Sequence, residues 1–216
     1  MRDFSNVQII VAILGTAKWT LLLSLIAFIG GVFIGLIFTL LKTAPALILN
    51  KLADLYIAGV QAVPLLMVIF LTFFGLPLIG IDVSPWVSAC ISMIVFTSAF
   101  LSDIWRGAIE SVPVGQWEAA RAGGMNFLKT FRLVIAPQAI QIATPPTVGF
   151  SVQVIKGTAL TSIIGFVELT KAGTMLNNVT FRPFFVFGVV ALTYFLICYP
   201  LSVLAKQLER RQANIG

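Results

Sequence analysis

Residues 19–41 read WTLLLSLIAFIGGVFIGLIFTLL, with Lys18 before them, Lys42 after them and no charge between. As a helix rising 1.5 Å per residue the stretch is about 35 Å long, enough to cross the ~30 Å hydrocarbon core of a bilayer. Lipid offers no hydrogen-bond partner to a peptide group, so a lone segment of this kind must be helical. That reading sets the class: an all-α membrane protein.

The pattern recurs along the chain. Charged residues punctuate the sequence, and the gaps between them give about five spans, at 19–41, 55–78, 84–104, 133–155 and 183–205. The 216 residues are 59% apolar and 10% charged, with a mean hydropathy of +1.03. Soluble domains carry about 25% charge, and a core of this size could not hide so much apolar surface. Residues 19–207 thus form one transmembrane domain, preceded by a segment at 1–18 and followed by a tail at 208–216. Two apolar stretches are too short to span. Val7–Leu14, after Arg2 and Asp3, reads as an interfacial helix, since a span follows almost at once and no small-residue cleavage site stands out. Gly157–Val167, between Lys156 and Glu168, reads as a partial helix buried against the bundle.

Several chemistries are excluded. The chain has no His, and its two cysteines, Cys90 and Cys198, lie inside apolar runs. Ordinary metal clusters and Cys/His nucleophiles therefore have no ligands to use. No Gly-rich phosphate loop precedes a Lys-Ser/Thr pair, so the chain is expected to bind no ATP, to carry no cofactor and not to be an enzyme. A net charge of +6 would suggest nucleic acid for a soluble protein. In a membrane protein it marks the cytoplasmic loops instead. One side collects Lys42, Lys51, Arg106, Arg121, Lys129, Arg132, Lys206, Arg210 and Arg211; the other collects Arg2, Lys18, Lys156, Lys171 and Arg182. Nine against five places the N-terminus outside and the C-terminus in the cytoplasm. Gly31 and Gly35, one helical turn apart in the first span, let another helix approach closely.

The loop at 106–132 is long and lies on the basic side. Pro113 suits a helix start, Glu118 falls in its early part, Gly123-Gly124 ends it, and Asn126 can cap the helix that enters the fourth span. Trp117, Ala120 and Arg121 share a face at i, i+3 and i+4. Two readings fit such a helix: a dock for another protein, with Trp117 as anchor, or a membrane-surface helix with its Trp among the headgroups. Asp103, Arg106 and Glu110 share a face at the same end and read as a structural charge network.

Glu118-Ala119-Ala120, then Gly124 after three residues, then Val134-Ile135-Ala136-Pro137 after nine more, resembles the EAA loop of permease subunits of binding-protein-dependent ABC importers. Val134 and Ala136 stand where that pattern has Ile and Leu. Arg106-Gly107, Gly115–Ala122, Pro64-Leu65-Leu66, Phe74–Pro77 and Ile164–Thr170 are similar to the polar amino acid uptake group, and the resemblance covers nearly everything beyond Gly15. It implies a type I importer permease in the bacterial inner membrane. Its partners would be a cytoplasmic ATPase dimer that holds ATP and Mg, a second permease subunit, an extracytoplasmic amino-acid-binding protein, an amino-acid substrate and membrane lipid, with no nucleic acid. Trp117, Glu118, Ala119, Ala120, Arg121, Gly124 and Pro137 would couple the chain to the ATPase.

The resemblance also points to two substrate segments. Gln61-Ala62-Val63-Pro64 stands where the family more often reads Arg-Gly-Thr-Pro, and Lys156-Gly157-Thr158-Ala159-Leu160 where it more often reads Lys-Asp-Thr-Ser-Leu. Pro64 removes a backbone hydrogen bond inside a span, and either kinks the helix or lines a cavity. A partial helix starting near Thr158 would aim its N–H groups at a substrate carboxylate, with Lys156 adding charge or only snorkelling outward. With Gly157 in place of the acid, the substrate is anionic or neutral, or this chain is the degenerate half of a heterodimer; the second is favoured. The competing class, a secondary transporter driven by an ion gradient, would want acids in the span cores, and Asp54, Asp82, Asp103 and Glu168 all lie outside them.

Cysteines introduced at Ser84 and Asn178 are expected to react with a membrane-impermeant thiol reagent added outside the cell, and one at Lys129 is not. Labelling of the Lys129 position from outside would invert the topology.

Overall fold

The computed structural model describes residues 4–43 and 47–213. Arg2 and Asp3, used in the reading above, lie outside the described residues, as do 44–46 and 214–216 of the tail. Every regular element among the described residues is helical: α1 (Asn6–Thr43), α2 (Leu47–Gln61), α3 (Leu65–Leu78), α4 (Pro85–Glu110), α5 (Val114–Ala122), α6 (Phe127–Ile164), α7 (Leu169–Thr180) and α8 (Pro183–Ala213). Four of them, α1, α4, α6 and α8, are long and apolar enough to cross a membrane singly. The pair α2–α3 passes the same test together, bent by 102° at its break. These make four candidate spans, or five if the bent pair counts as one broken span.

The expected separate interfacial helix at the N-terminus is overturned. Val7–Leu14 belongs to α1, which runs 38 residues without interruption, about 57 Å at 1.5 Å per residue. Its outer turns are held by tertiary packing. Ile9 and Ile13 are fully buried against Leu169, Val186 and Val190 of α7 and α8, and Arg182 donates to the Asn6 side chain at 2.8 Å. Lower down, Trp19 meets Trp86 edge-on with ring centres 6.1 Å apart. The apolar run looked too short to span because Lys18 divides it from residues 19–41, but a single lysine does not stop a helix.

Prolines shape the remaining spans. Pro64 has no N–H to continue α2, and its carbonyl instead accepts from Met67 and Val68 to open α3 at a new angle. Two π-helical turns, Leu71–Gly75 and Phe131–Ile135, each end two residues before a proline, Pro77 and Pro137. A proline cannot donate to the carbonyl four residues back, and a widened turn is one way to reroute those carbonyls. Ser84 caps α4 by accepting from the Val87 N–H, with Pro85 at the first helical position.

The central contact is α1 on α4. A side chain at Gly35 would come within 2.9 Å of the Ser98 carbonyl oxygen, and one at Gly31 within 2.7 Å of Thr97 Cβ. The small-residue pair therefore works as its spacing suggests, letting backbones touch. Thr39 then donates to Gly35 O at 2.8 Å and reaches Ser102 Oγ at 3.3 Å. α2 is tied to the same surface by Tyr56, whose hydroxyl lies 2.6 Å from Ser98 Oγ and whose ring stacks on Phe38 at 3.9 Å. Lys42 pairs with Asp54 across the α1–α2 junction. Arg106 bridges Asp103 and Glu110 at 2.7 Å each, the network expected from their spacing.

Gly31→Val should force α1 off α4, an overpacking cost of about 1–3 kcal/mol. Purified protein is expected to lose several degrees of thermal stability in detergent, whereas Gly188→Ala, with open space around it, is not. Equal melting of the two variants would remove the α1–α4 contact from the centre of the fold.

Candidate functional site

The loop after α4 folds into a short helix across the end of the bundle. α5 begins behind Pro113, which takes φ −53° and ψ 135° and so stands just before the helix rather than inside it. Its end is a paired-bond cap. The Gly124 N–H donates to Arg121 O at 2.9 Å and the Met125 N–H to Ala120 O at 3.1 Å, with Gly124 at φ +77°. Only a residue at ease in the left-handed region fits there, which is why glycine occupies it. Asn126 then caps α6 as its type suggests, accepting from the Lys129 N–H at 3.0 Å.

The face that carries Trp117, Ala120 and Arg121 is divided by the packing. Trp117 stacks on Phe127 at 6.0 Å and packs against the buried cluster of Val112, Ile135 and Ala139; Ala120 is buried. Trp117 is half-buried, so part of its ring props the loop from inside and part remains on the surface. Glu118, Ala119, Arg121 and Gly124 are exposed and form the outer surface. Pro137 is exposed on α6, after the π turn. Gln138, one residue on, donates to Val134 O at 2.7 Å and reaches Gln116 at 3.4 Å, so the span and the cross-helix are tied directly.

Of the two segments expected to face substrate, nearly a hundred residues apart in the chain, the second packs against the residue just past the first. A side chain at Gly157 would come within 2.9 Å of Leu65 Cδ2 and 3.4 Å of Met93 Cε. Gly157 thus allows the start of α3, just past Pro64, to seat against α6. Leu65 and Met93 fill the space beside Gly157. Gln61 is half-buried and Pro64 exposed at the bend. Near them Val60, Val63, Val68 and Thr72 line a shallow cavity of about 310 Å³.

The expected helix start at Thr158 is absent. α6 continues through it, tightening to a 3₁₀ turn over Thr158–Ile164. Thr158 is fully buried, and its hydroxyl donates to Ile155 O at 2.7 Å. Its backbone N–H also turns to Ile155 O, so no row of free N–H groups faces a ligand. The boundary was inferred from Lys156, which stays in the helix with its side chain exposed and no ion pair among the described residues. By the 3.6-residue period Gln138, Gln153 and Lys156 fall within an arc of about 60°. Gln153 is exposed and Gln138 half-buried.

The sequence marks Glu168 as a boundary acid outside the span cores. It is fully buried at the N-terminus of α7, where its carboxylate accepts from the Thr170 and Lys171 N–H groups at 2.9 Å and from the Tyr194 hydroxyl at 2.7 Å. Burial pushes its carboxyl above the usual range, and these donors pull the other way. The next N–H, of Leu169, donates to Thr20 at 3.2 Å, so one cap joins α1, α7 and α8. A carboxylate directly before Leu169-Thr170-Lys171 is the only trace of this in the sequence.

The family described as the binding-protein-dependent transport system inner membrane component matches residues 31–214. A probable amino-acid ABC transporter permease of Bacillus subtilis is 34% identical, over 91% of this chain and 87% of its own length. The glutamine transport system permease of Escherichia coli is 32% identical, over 90% of each. The structure superposes on that of an amino acid ABC transporter with a TM-score of 0.88 at 31% identity, covering 93% of this chain and 94% of the other. Helical spans, cross-helix and sequence agree, and the chain belongs to the family of binding-protein-dependent transport system inner membrane components, among its amino-acid ABC permeases.

Proposed function

We propose that this chain is one of two transmembrane subunits that carry a polar amino acid inward across the bacterial inner membrane, driven by ATP hydrolysis on a separate cytoplasmic ATPase dimer. The observation that carries the reading is α5: a short helix held across one end of the bundle, with Glu118, Ala119 and Arg121 outward and Trp117 half-buried. Started by Pro113, capped at its glycine end and seated on α6, it can pass a push from a docked ATPase to the spans. ATP and Mg belong to that partner. An extracytoplasmic binding protein delivers the substrate to the opposite end.

The second subunit covers the polar side of α6. Lipid leaves Gln153 and Lys156 unsatisfied at a cost of several kcal/mol, so water or protein must face them. A water-filled path between two permease subunits supplies both, with Lys156 as the cation that meets a substrate carboxylate. Leu65 and Met93 filling the space beside Gly157 support the heterodimer reading, in which the sister subunit carries the acid. The ion-gradient alternative has no support in Glu168, whose oxygens are committed to the α7 cap and to Tyr194.

Glu118→Lys, and separately Gly124→Leu, should leave the chain in the membrane but lower ATP-driven uptake at least tenfold and reduce copurification of the ATPase. Losing a charge-assisted contact costs about 1.5–3 kcal/mol, and a left-handed backbone costs a branched residue about 1–2 kcal/mol. Uptake and copurification at the unmodified level would sink the coupling role.

Lys156→Ala should raise the substrate concentration for half-maximal uptake roughly tenfold, the change expected for about 1.4 kcal/mol. Thr158→Ala should lower stability and leave that concentration alone, because its hydroxyl serves Ile155 O. If Lys156→Ala keeps uptake within a factor of about two, the carboxylate is held by the sister subunit.

A further inference from the structure

An apolar cavity lies outside the proposed substrate region. It is a groove of about 390 Å³ between α1, α4 and α6, bounded by Leu36 and Leu40, by Trp105, and by Phe131, Ala143 and Val148. Its few polar side chains are already satisfied: the Trp105 indole N–H donates to Thr147 at 3.0 Å, and Thr144 donates to Ile140 O at 2.6 Å. Water or a polar solute would find no open partner there.

The groove is continuous with the lipid-facing surface. Leu36, Leu40 and Ile140 line it and are also 47%, 48% and 65% exposed. Beyond Phe131, its wall on α6 runs from Ala136 to Val148, thirteen residues or about 18 Å of helix, close to the ~15 Å depth of one leaflet's hydrocarbon. The end at Phe131 lies next to the α5 cross-helix, and there the chain carries two exposed cations, Lys129 and Arg132. Each basic residue near the membrane surface attracts an anionic headgroup by about 1 kcal/mol.

We propose that this groove binds one acyl chain of an anionic phospholipid from the leaflet on the α5 side, with Lys129 and Arg132 at the headgroup. The chain lies between α1 and α6 and reaches Trp105, deeper than the lipid that merely surrounds the bundle. Ile109, Phe131 and Ala139 line the groove and also belong to the cluster that seats Trp117. The lipid thus touches the residues that support the cross-helix, a consequence for coupling that rests on the function proposed above. The binding itself does not.

The test uses the assembled transporter in vesicles of phosphatidylcholine or phosphatidylglycerol with chains dibrominated at mid-length. Trp105 emission is taken as the difference between the unmodified protein and Trp105→Phe. The expected result is quenching of that emission by brominated chains, half-complete at a several-fold lower fraction of phosphatidylglycerol than of phosphatidylcholine. Ala143→Phe should fill the groove and remove most of the quenching. Lys129→Gln with Arg132→Gln, both on exposed positions, should abolish the headgroup preference and leave the quenching. Unquenched Trp105 in both lipids overturns the site, and equal quenching by the two lipids overturns the anionic assignment. Neither readout depends on transport.

Discussion

Hydrocarbon cannot hydrogen-bond to a peptide group, and almost every feature of this chain answers to that constraint. It forces the spans to be helical and makes each interruption a place where carbonyls must find other partners. At Pro64 the partners are the first N–H groups of a new helix set at 102° to the old one. At Pro77 and Pro137 the preceding turn widens instead. The same constraint explains why many serines and threonines inside the spans bond back to carbonyls three or four residues earlier, as Thr39, Ser92 and Thr193 do.

With helices forced, association needs another source, because lipid tails are as apolar as Leu side chains. Close backbone approach supplies it. Gly31 and Gly35 let α1 rest on the backbone of α4, and Gly157 lets the start of α3 rest on α6. Gly157 also links packing to function. The same missing side chain that seats Leu65 removes the acid that relatives of this kind are expected to carry. In the proposed heterodimer the sister subunit supplies that acid.

The polar groups divide by location. Those at the ends of the bundle are structural: the Lys42–Asp54 pair, the Asp103–Arg106–Glu110 network and the buried Glu168 cap. Gln153 and Lys156 face outward from a membrane-crossing helix without partners among the described residues. That asymmetry is the physical basis for placing a second subunit and an aqueous path on the α6 face, and lipid on the α1 side.

The sequence by itself determined the class, about five apolar segments, and the cross-helix with its glycine end. Hydropathy, proline, glycine and asparagine act through the backbone of their own segment, so Pro113, Gly124 and Asn126 were legible one residue at a time. Tertiary structure decided what depended on distant partners. Val7–Leu14 became part of α1 because Leu169, Val186 and Val190 bury it, and no feature within the segment says so. Part of the Trp117 ring turned inward because Phe127 and the Ile135 cluster wait for it. Thr158 opened no new helix because Lys156, which looked like a boundary, is tolerated in an exposed position on an unbroken one. A charge marks the end of a span only when lipid lies beyond it. Where another surface of protein or water lies beyond, the helix continues, and only the folded neighbours reveal which of these it is.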